Sequence, residues 1–360
     1  MCGEFTVKRE ELESTPFTDK LYNRVIPQAL FYDPNYDEEK LPDHMEGEDW
    51  FLLMPDSTGD LQWVIAESSE SGYFGSESAN EETDLQVPFL NLYYQHLSWP
   101  DILGILPDLV EDVRNMSASL SKIGLYQSLS MSNAASVERF VVTELEYLFT
   151  VCRSMYDLLQ FIIKNTWDRI RIDNGREKST LKSAFSDMVL HASEPQSAES
   201  LVDKYGLTNE LAQFYEDSAD RFLRIREFRD EIAHNGETVD TIFVKEKGFA
   251  VDVTSIPYCR FDVWSGEIVD DNNLAPIWPF ISTVVGETVE TLNLFIAALL
   301  RDPVRVPPEI APGYKHYIRG NHIQNLKCLD SLTETDIWGE QFVEQVTTNI
   351  GVEKMRSQSN

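Results

Sequence analysis

One apolar stripe, between residues 134 and 164, constrains the fold of this chain more than any other feature of its sequence. Apolar side chains recur there in steps of three and four residues, which is the spacing of one face of an α-helix. The residues of this stripe are Val137, Phe140, Val141, Leu145, Leu148, Cys152, Met155, Leu159 and Ile162. A face this wide is buried against partner helices in a globular protein, so the sequence predicts a helical bundle.

Further segments repeat the helical period, so the bundle is predicted to contain several helices. The predicted helices run from about Ser98 to Ile123, from Ser179 to His191, from about Leu201 to Tyr205, from Thr208 to Asn235, across 277–300 and from about Thr335 to Thr348. Pro100 suits a first helical turn, and Thr208 is a candidate N-cap. Gly206 and Asn235-Gly236 are typical helix stops, while Pro303 ends the last long helix.

Strand patterns are confined to short stretches. Two apolar runs flank a turn in DWFLLMPDSTGDLQWVIAES, residues 49–68, which is typical of a β-hairpin. The stretch that follows, 67–86, carries six carboxylates and no base from Glu67 to Asp84, and it is interpreted as an acidic loop. Residues 240–270 alternate apolar and polar positions around Lys-Gly and Ser-Gly turns, and they predict a small antiparallel insert.

The predicted fold class is therefore mainly α, a helical bundle with a small β insert, together with a small mixed α/β N-terminal unit. Three regions are expected along the chain. They are 1–97 for the mixed unit with its acidic loop 67–86, 98–302 for the bundle with a β insert at about 240–270, and 303–360 for a C-terminal extension with one helix.

The formal net charge of −31 over 360 residues predicts a soluble, self-repelling surface and argues against a general nucleic-acid coat. A groove can still hold RNA if it concentrates cations, because charges act within a Debye length of about 8 Å. No apolar run approaches the length of about 18 residues that a membrane span needs. The four cysteines are scattered without a CxxC pair, so a cytoplasmic protein with reduced thiols and no membrane association is expected.

No metal, cofactor or nucleotide site is predicted. His316, His322 and Cys328 recur every six residues, which matches no compact zinc spacing. The stretch DPNYDEE has Glu38 where a calcium loop requires glycine. Neither GxxxxGK[ST] nor GxGxxG occurs in the chain.

The stretch RIREFRDEIAHNG, 224–236, places an arginine and a histidine at the end of a predicted helix. A step of five residues turns about 140° on an ideal helix, so Arg229 and His234 would share a face only if the last turn unwinds or bends, as the Asn-Gly stop allows. A helix C-terminus stabilises an imidazolium, and a guanidinium offers a fork of donors suited to phosphate. The alternative is a plain helix end, in which Arg229 covers apolar surface and His234 complements the helix dipole.

These residues resemble the HEPN superfamily of helical bundles, whose RNase members carry an arginine, a polar residue and a histidine four to six residues after the arginine. The matching residues are Arg229, Asp230 and His234. The AHNG helix end, the upstream helix with CRSMYDLL and the helix that closes the unit strengthen the likeness. The resemblance covers roughly residues 130–300, and it implies a HEPN-like bundle for this region.

The resemblance implies metal-independent cleavage of RNA, in which the ribose 2′-hydroxyl attacks the adjacent phosphorus and leaves a 2′,3′-cyclic phosphate. His234 would act as acid or base, Arg229 would stabilise the charge on the phosphate, and Asp230 would orient His234 or a water. One histidine supplies one of two proton transfers, so a homodimer is implied. The implied partners are an RNA substrate and an antitoxin or regulatory protein, as for a toxin-like or antiviral effector, and no cofactor is needed.

An RNA substrate also needs a cationic path. The candidate substrate-binding residues are Arg153, Arg224, Arg226 and Asn235. The cations near the motif can equally be interpreted as ion pairs of the helix surface with Glu216, Asp217, Asp220 and Glu227. The alternative function is a catalytically inactive HEPN scaffold that binds protein or nucleotide, with the acidic surface recognising basic partners.

Overall fold

The structure is a computed structural model. It describes residues 6–7, 29–31, 51–55, 61–65, 70–96, 102, 104–132, 136–167, 169–172, 176–192, 194–230, 239, 241–301, 304–305 and 308–349. These residues are mainly helical, as the sequence predicts. The chain divides into two compact units, the first made of Met1–Gln95 with Glu309–Ile323 and the second of His96–Pro308 with Gln324–Asn360.

The described helices are α1 (Pro88–Gln95), α2 (Leu106–Met131), α3 (Glu138–Trp167), α4 (Phe185–Val189), α5 (Ala198–Tyr205), α6 (Asn209–Asp230), α7 (Trp278–Leu299), α8 (Leu329–Glu334) and α9 (Glu340–Asn349). The described strands are β1 (Thr6–Val7), β2 (Ala29–Phe31), β3 (Phe51–Pro55), β4 (Leu61–Ile65), β5 (Ser71–Gly75), β6 (Asp84–Leu85), β7 (Arg171–Ile172), β8 (Leu190–His191), β9 (Glu194–Pro195), β10 (Phe243–Lys245), β11 (Gly248–Asp252), β12 (Leu274–Pro276), β13 (Val304–Arg305) and β14 (Lys315–Arg319).

The first unit contains two small sheets. In one, β3 and β4 form the antiparallel hairpin that the sequence predicts, and β1 pairs with the other edge of β4. In the other, the strand order is β2-β5-β14-β6, and β14 comes from the C-terminal part of the chain. Tyr73 of β5 and Tyr317 of β14 are directly paired across these strands, and their rings stack with 5.3 Å between centroids. Such cross-strand aromatic pairs stabilise a sheet.

The acidic stretch 67–86 is not the loop that the sequence was expected to form, because it supplies two strands of this sheet. β5 is a central strand with Tyr73 and Phe74 buried. Asp84 is also buried, and its carboxylate accepts hydrogen bonds from the Tyr73 hydroxyl at 2.8 Å and from the Asn80 amide at 2.7 Å. Arg319 donates to both oxygens of Asp84, at 2.8 and 3.2 Å. One carboxylate of the acidic stretch is therefore neutralised inside the first unit, which allows this residue to be buried in a strand.

The second unit is a bundle built on α2, α3, α6 and α7. α3 packs against α2, α6 and α7, and α6 packs against α7. The predicted stripe of α3 is buried, with the exception of Phe140, which is 55 % exposed. The core also contains a cluster of aromatic rings from α3, α4 and α6, with centroids 5.0 to 5.8 Å apart, formed by Tyr156, Phe185, Tyr215 and Phe222.

Several predicted helix limits are confirmed, and others are wrong. The last helix, predicted from about Thr335, begins at Glu340 as α9, and α2 continues to Met131, beyond the predicted end at Ile123. α5 ends at Gly206, and Thr208 caps α6 by accepting a hydrogen bond from the Leu211 amide at 3.2 Å. α2 begins at Leu106 with a proline in its first turn, later than the predicted start near Ser98, while Pro100 lies outside the described residues. The predicted helix Ser179 to His191 is reduced to the five residues of α4.

The early end of α4 has a local cause. The amide side chain of Gln196 donates to the carbonyl oxygens of Met188 and Leu190, at 2.7 and 3.1 Å. These carbonyls are therefore satisfied without a further helical turn. The chain instead reverses through the two-residue strands β8 and β9, which pair antiparallel.

The β insert is confirmed in its first half only. β10 and β11 form an antiparallel hairpin around a turn that ends at Gly248. The predicted strands near the Ser-Gly turn are replaced by a 3-10 turn and β-turns, and the third strand is β12. Asp270 holds the start of β12 in place. Its carboxylate accepts hydrogen bonds from the amides of Asn272 and Leu274 and forms an ion pair with Lys245 of β10.

The C-terminal part of the chain does not form the separate extension that was expected for 303–360. β14 belongs to the first unit, whereas α8 packs on α7 and α9 packs on α2 in the second. The stretch therefore contributes two helices to the bundle rather than one helix outside it. Gln127 of α2 holds this part of the second unit, because its amide group donates to the Trp338 carbonyl at 2.8 Å and accepts from the Trp278 indole at 2.9 Å.

α7 is long and apolar enough to cross a membrane when judged by length and composition alone. In the second unit it contacts α3, α6 and α8. Most of its large apolar side chains are buried, including Trp278, Phe280, Ile281, Val285, Leu292 and Phe295.

We expect Gly206→Ala to destabilise the second unit. Gly206 has φ of 69°, where a Cβ atom is strained, and an added Cβ would lie 2.2 Å from the carbonyl oxygen of Glu177. Backbone strain of this kind costs about 1–3 kcal/mol, and the close contact adds to it. Denaturant titration should show a lower unfolding midpoint than for Gly266→Ala, a matched change at a glycine with open space around it. Equal midpoints for the two variants would contradict the expectation.

Candidate functional site

α6 carries the first part of the predicted motif. The helix is anchored on α3 at two points, since Phe222 contacts the ring of Tyr156 and Phe228 contacts that of Phe149, with 5.5 and 4.3 Å between centroids. Phe228, directly before the motif, is 1 % exposed. The backbone of α6 continues through Arg229 and Asp230. The motif arginine therefore follows the buried end of a helix that packs between α3 and α7.

Four of the predicted site residues fall outside what the structure describes, wholly or in their side chains. His234 and Asn235 lie outside the described residues. Arg229 and Asp230 lie in α6 by their backbone, and their side chains are outside the description. The remaining three, Arg153, Arg224 and Arg226, are described.

Arg224 is engaged within the bundle. Its guanidinium pairs with Glu287 of α7 at 3.1 Å and stacks over the ring of Phe261, with 5.0 Å to the centroid. Arg221, one helical turn earlier, pairs with Glu290 at 2.7 Å and lies 3.9 Å from Glu287. Arg221 and Arg224 are therefore matched by two glutamates of α7.

These ion pairs join α6 to α7 through acids that the local sequence pattern does not indicate. The acids considered there were on α6, and of these Asp220 does lie 3.7 Å from Arg224. Glu287 and Glu290 escaped notice because they lie 63 and 69 residues away along the chain. A signal was present, since they stand three residues apart in an otherwise apolar helix, the same spacing as Arg221 and Arg224.

Arg226 occupies a different face of α6 and is half-buried. Its neighbour Glu227 is exposed and pairs with Arg260 of the 3-10 turn at 3.3 Å. Arg226 therefore does not share the face on which Arg221 and Arg224 meet the α7 glutamates.

Other cations of the second unit support the fold. Lys178 donates to the Trp167 carbonyl at 2.5 Å and to that of Ile170, so it caps the end of α3, and it lies over the Trp167 ring. Arg176 donates to the Leu207 carbonyl at 3.0 Å. Lys182 and Lys247 are exposed, and a polyanion could reach them.

Arg153 of α3 borders an open cleft of about 650 Å³. It pairs with Asp157 at 2.6 Å and stacks over the ring of Phe222, with 4.5 Å to the centroid. Its positive charge is thus already matched by a carboxylate on the same helix, one turn away.

Two ionisable groups buried in α3 are held neutral. Burial raises the pKa of the Cys152 thiol to about 12 and also raises the pKa of Tyr156. Tyr156 is 1 % exposed and hydrogen-bonds to Thr291 at 3.2 Å, so it belongs to the core and does not line a groove. Neither group is available as a nucleophile or base at neutral pH.

His316, considered with His322 and Cys328 as a metal-binding pattern, is a core residue of the first unit. It is 3 % exposed and stacks on Tyr94 with 4.0 Å between ring centroids. It also contacts the edge of Phe74. His316 therefore packs between two aromatic rings in the core of the first unit.

Comparison of this chain with protein-family models, with curated proteins and with solved structures gives no match. The candidate site therefore rests on the sequence motif from Arg229 to His234, which begins in α6.

Proposed function

We propose that this protein is a metal-independent endoribonuclease of the HEPN type, acting in the cytoplasm as a toxin-like or antiviral effector. The observation that supports it best is that Arg229 and Asp230 lie in the last described turn of α6, a long helix that packs against two further long helices of a bundle. The position of His234 four residues after Asp230 fits a motif that starts on such a helix end. A helix C-terminus also favours a protonated imidazole.

In the proposed reaction the ribose 2′-oxygen attacks the adjacent phosphorus, and the 5′-oxygen of the next nucleotide leaves. The 2′-hydroxyl proton goes to a base, and the leaving oxygen takes a proton from an acid, so a 2′,3′-cyclic phosphate and a 5′-hydroxyl remain. His234 performs one of these transfers, and Arg229 stabilises the charge on the phosphate oxygens. Asp230 orients His234 or a water.

A single motif supplies one acid-base group, so the proposal includes a homodimer in which each copy contributes one His234. Arg226 is the described cation that we assign to the substrate path beside Arg229. Arg221 and Arg224 are left out of this path, because their charges are matched by Glu287 and Glu290.

That pairing also favours a second candidate function, a catalytically inactive scaffold of the same fold that binds protein or nucleotide. A helix end whose neighbouring arginines are used in ion pairs has less positive potential for a polyanion. The scaffold and the enzyme differ in one measurable property, the cleavage of RNA.

The test is incubation of the purified full chain with end-labelled RNA, and with DNA of the same sequence, in EDTA. We expect cleavage of the RNA only, with cyclic phosphate at the new ends, because the mechanism needs the 2′-hydroxyl and no metal. Cleavage of the DNA, or loss of RNA cleavage on adding EDTA, would refute the proposed mechanism. Intact RNA under every condition would favour the scaffold.

A further inference from the structure

The cleft beside α3 combines an apolar floor with acidic walls. Ile105, Leu158 and Phe161 line it, and Phe161 remains 41 % exposed. Asp108, in the first turn of α2, and Asp157 of α3 add carboxylates to the same lining. An exposed aromatic ring beside carboxylates, in a cleft of about 650 Å³, has the character of a recognition surface.

The acids of this cleft are only partly matched by bases. Arg153 of the lining pairs with Asp157 at 2.6 Å, and Lys164 donates to Ser183 of the lining at 2.5 Å. Asp108 is left without such a match among the described ion pairs, and Asp112 lies one turn further along α2. The pKa of Asp112 is raised by burial and by the neighbouring carboxylates Asp108 and Glu111, and one of its oxygens has no hydrogen-bond partner. A positive group entering the cleft would relieve this repulsion.

We propose that the α3 cleft binds a cationic amphipathic segment of a partner protein, with apolar side chains on Phe161 and Leu158 and a lysine or arginine at Asp108. The part of α3 that lines the cleft, Thr150 to Phe161, is about 16 Å long, which matches three turns of a docked helix. The net charge of −31 would steer such a segment toward the protein from a distance.

Charge also distinguishes this occupant from the alternatives. Nucleic acid would bring phosphates against Asp108 and Asp157, with Arg153 already paired. A second copy of the chain would bring a further net charge of −31. A two-fold contact at this cleft would also place Asp108 and Asp157 close to acids of the second copy. The proposal is independent of the RNA-cleavage site, which uses the end of α6.

The experiment is fluorescence anisotropy of the full chain with a labelled synthetic peptide of about four helical turns, leucines on one face and lysines on the other. We expect saturable binding in physiological salt, and much weaker binding of the matched peptide with glutamates in place of lysines. Asp108→Asn and Phe161→Ser should each weaken binding of the lysine peptide about fivefold. Asp330→Asn, at an exposed acid of α8, and Phe140→Ser, at an exposed ring of α3 outside the cleft, should leave it unchanged.

Phe161→Ser is the decisive variant because it leaves the net charge unaltered. Unchanged affinity in this variant would show a general attraction of a polycation to an acidic protein and would overturn the proposal. Equal losses in Asp108→Asn and Asp330→Asn would overturn it as well. Binding of a labelled RNA oligomer that Phe161→Ser abolishes, or a dimer in light scattering that Phe161→Ser dissociates, would assign the cleft to RNA or to a second copy instead. Circular dichroism confirms that each variant is folded before it is compared.

Discussion

His234→Ala is expected to lower the rate of RNA cleavage by about 10² to 10⁴, the usual contribution of one general acid or base. The fold should persist, because a histidine at a helix end contributes about 0.3 to 2 kcal/mol to stability. The measurement is the single-turnover rate on labelled RNA in EDTA, together with the thermal unfolding midpoint of the same samples. A large loss of rate with a nearly unchanged midpoint is the signature of a catalytic group.

The matched control is His191→Ala, which removes an exposed imidazole of β8 and should leave the rate unchanged. Arg229→Lys should also be severely impaired, because an ammonium keeps the charge and loses the two-pronged grip on phosphate. If His234→Ala cleaves RNA as fast as the parent protein, His234 is not the acid or base. If the parent protein cleaves RNA and both variants retain its rate, the activity resides elsewhere in the chain.

Arg319→Met is expected to destabilise the first unit by about 3 kcal/mol or more, the range found when one partner of a buried ion pair is removed. Asp84 would remain in the interior with its side chain 0 % exposed, while its strongest partner, the guanidinium at 2.8 and 3.2 Å, is lost. Methionine retains the apolar stem, so the change isolates the charge. Hydrogen exchange of the amides in β5 and β14 should become much faster, because these two strands join the sheet through Tyr73, Tyr317 and the ion pair.

The control for this variant is Arg139→Ala, at an exposed arginine of α3. It also removes one positive charge, and it should leave exchange in β5 and β14 unchanged. Arg319→Lys separates charge from geometry, since lysine keeps the charge but cannot bond both oxygens of Asp84. Exchange in Arg319→Met as slow as in the parent protein would mean that the ion pair does not hold this sheet together.

The long helices were predictable because each buries a wide face, and burial of that face fixes the position of its apolar residues along the chain. α3 and α7 show this most clearly, and the cap at Thr208 and the stop at Gly206 were equally local signals. The RDEIAHNG motif was found in the same way, from residues within about two helical turns of each other. The interpretation of His234 stays a prediction, since His234 lies outside the described residues.

Contacts between distant parts of the chain were not predictable from local patterns. Asp84 looked like one solvated acid among six, and only its pairing with Arg319, 235 residues later, makes it the buried centre of a sheet. Arg224 was a candidate phosphate ligand in the sequence, but in the structure it forms an ion pair with Glu287 of α7. The sequence does not show whether a charged side chain is compensated by water or by an oppositely charged side chain. That depends on which helices and strands pack together.

The sequence by itself thus determined the helical class, most of the helix limits and the candidate motif at the end of α6, because those properties depend on spacing along the chain. The tertiary structure decided which charges are neutralised, how the C-terminal residues divide between the two units, and that α3 carries an acidic, aromatic cleft around Phe161. These depend on distances in space between residues far apart in sequence, and one sequence contains no measure of such distances.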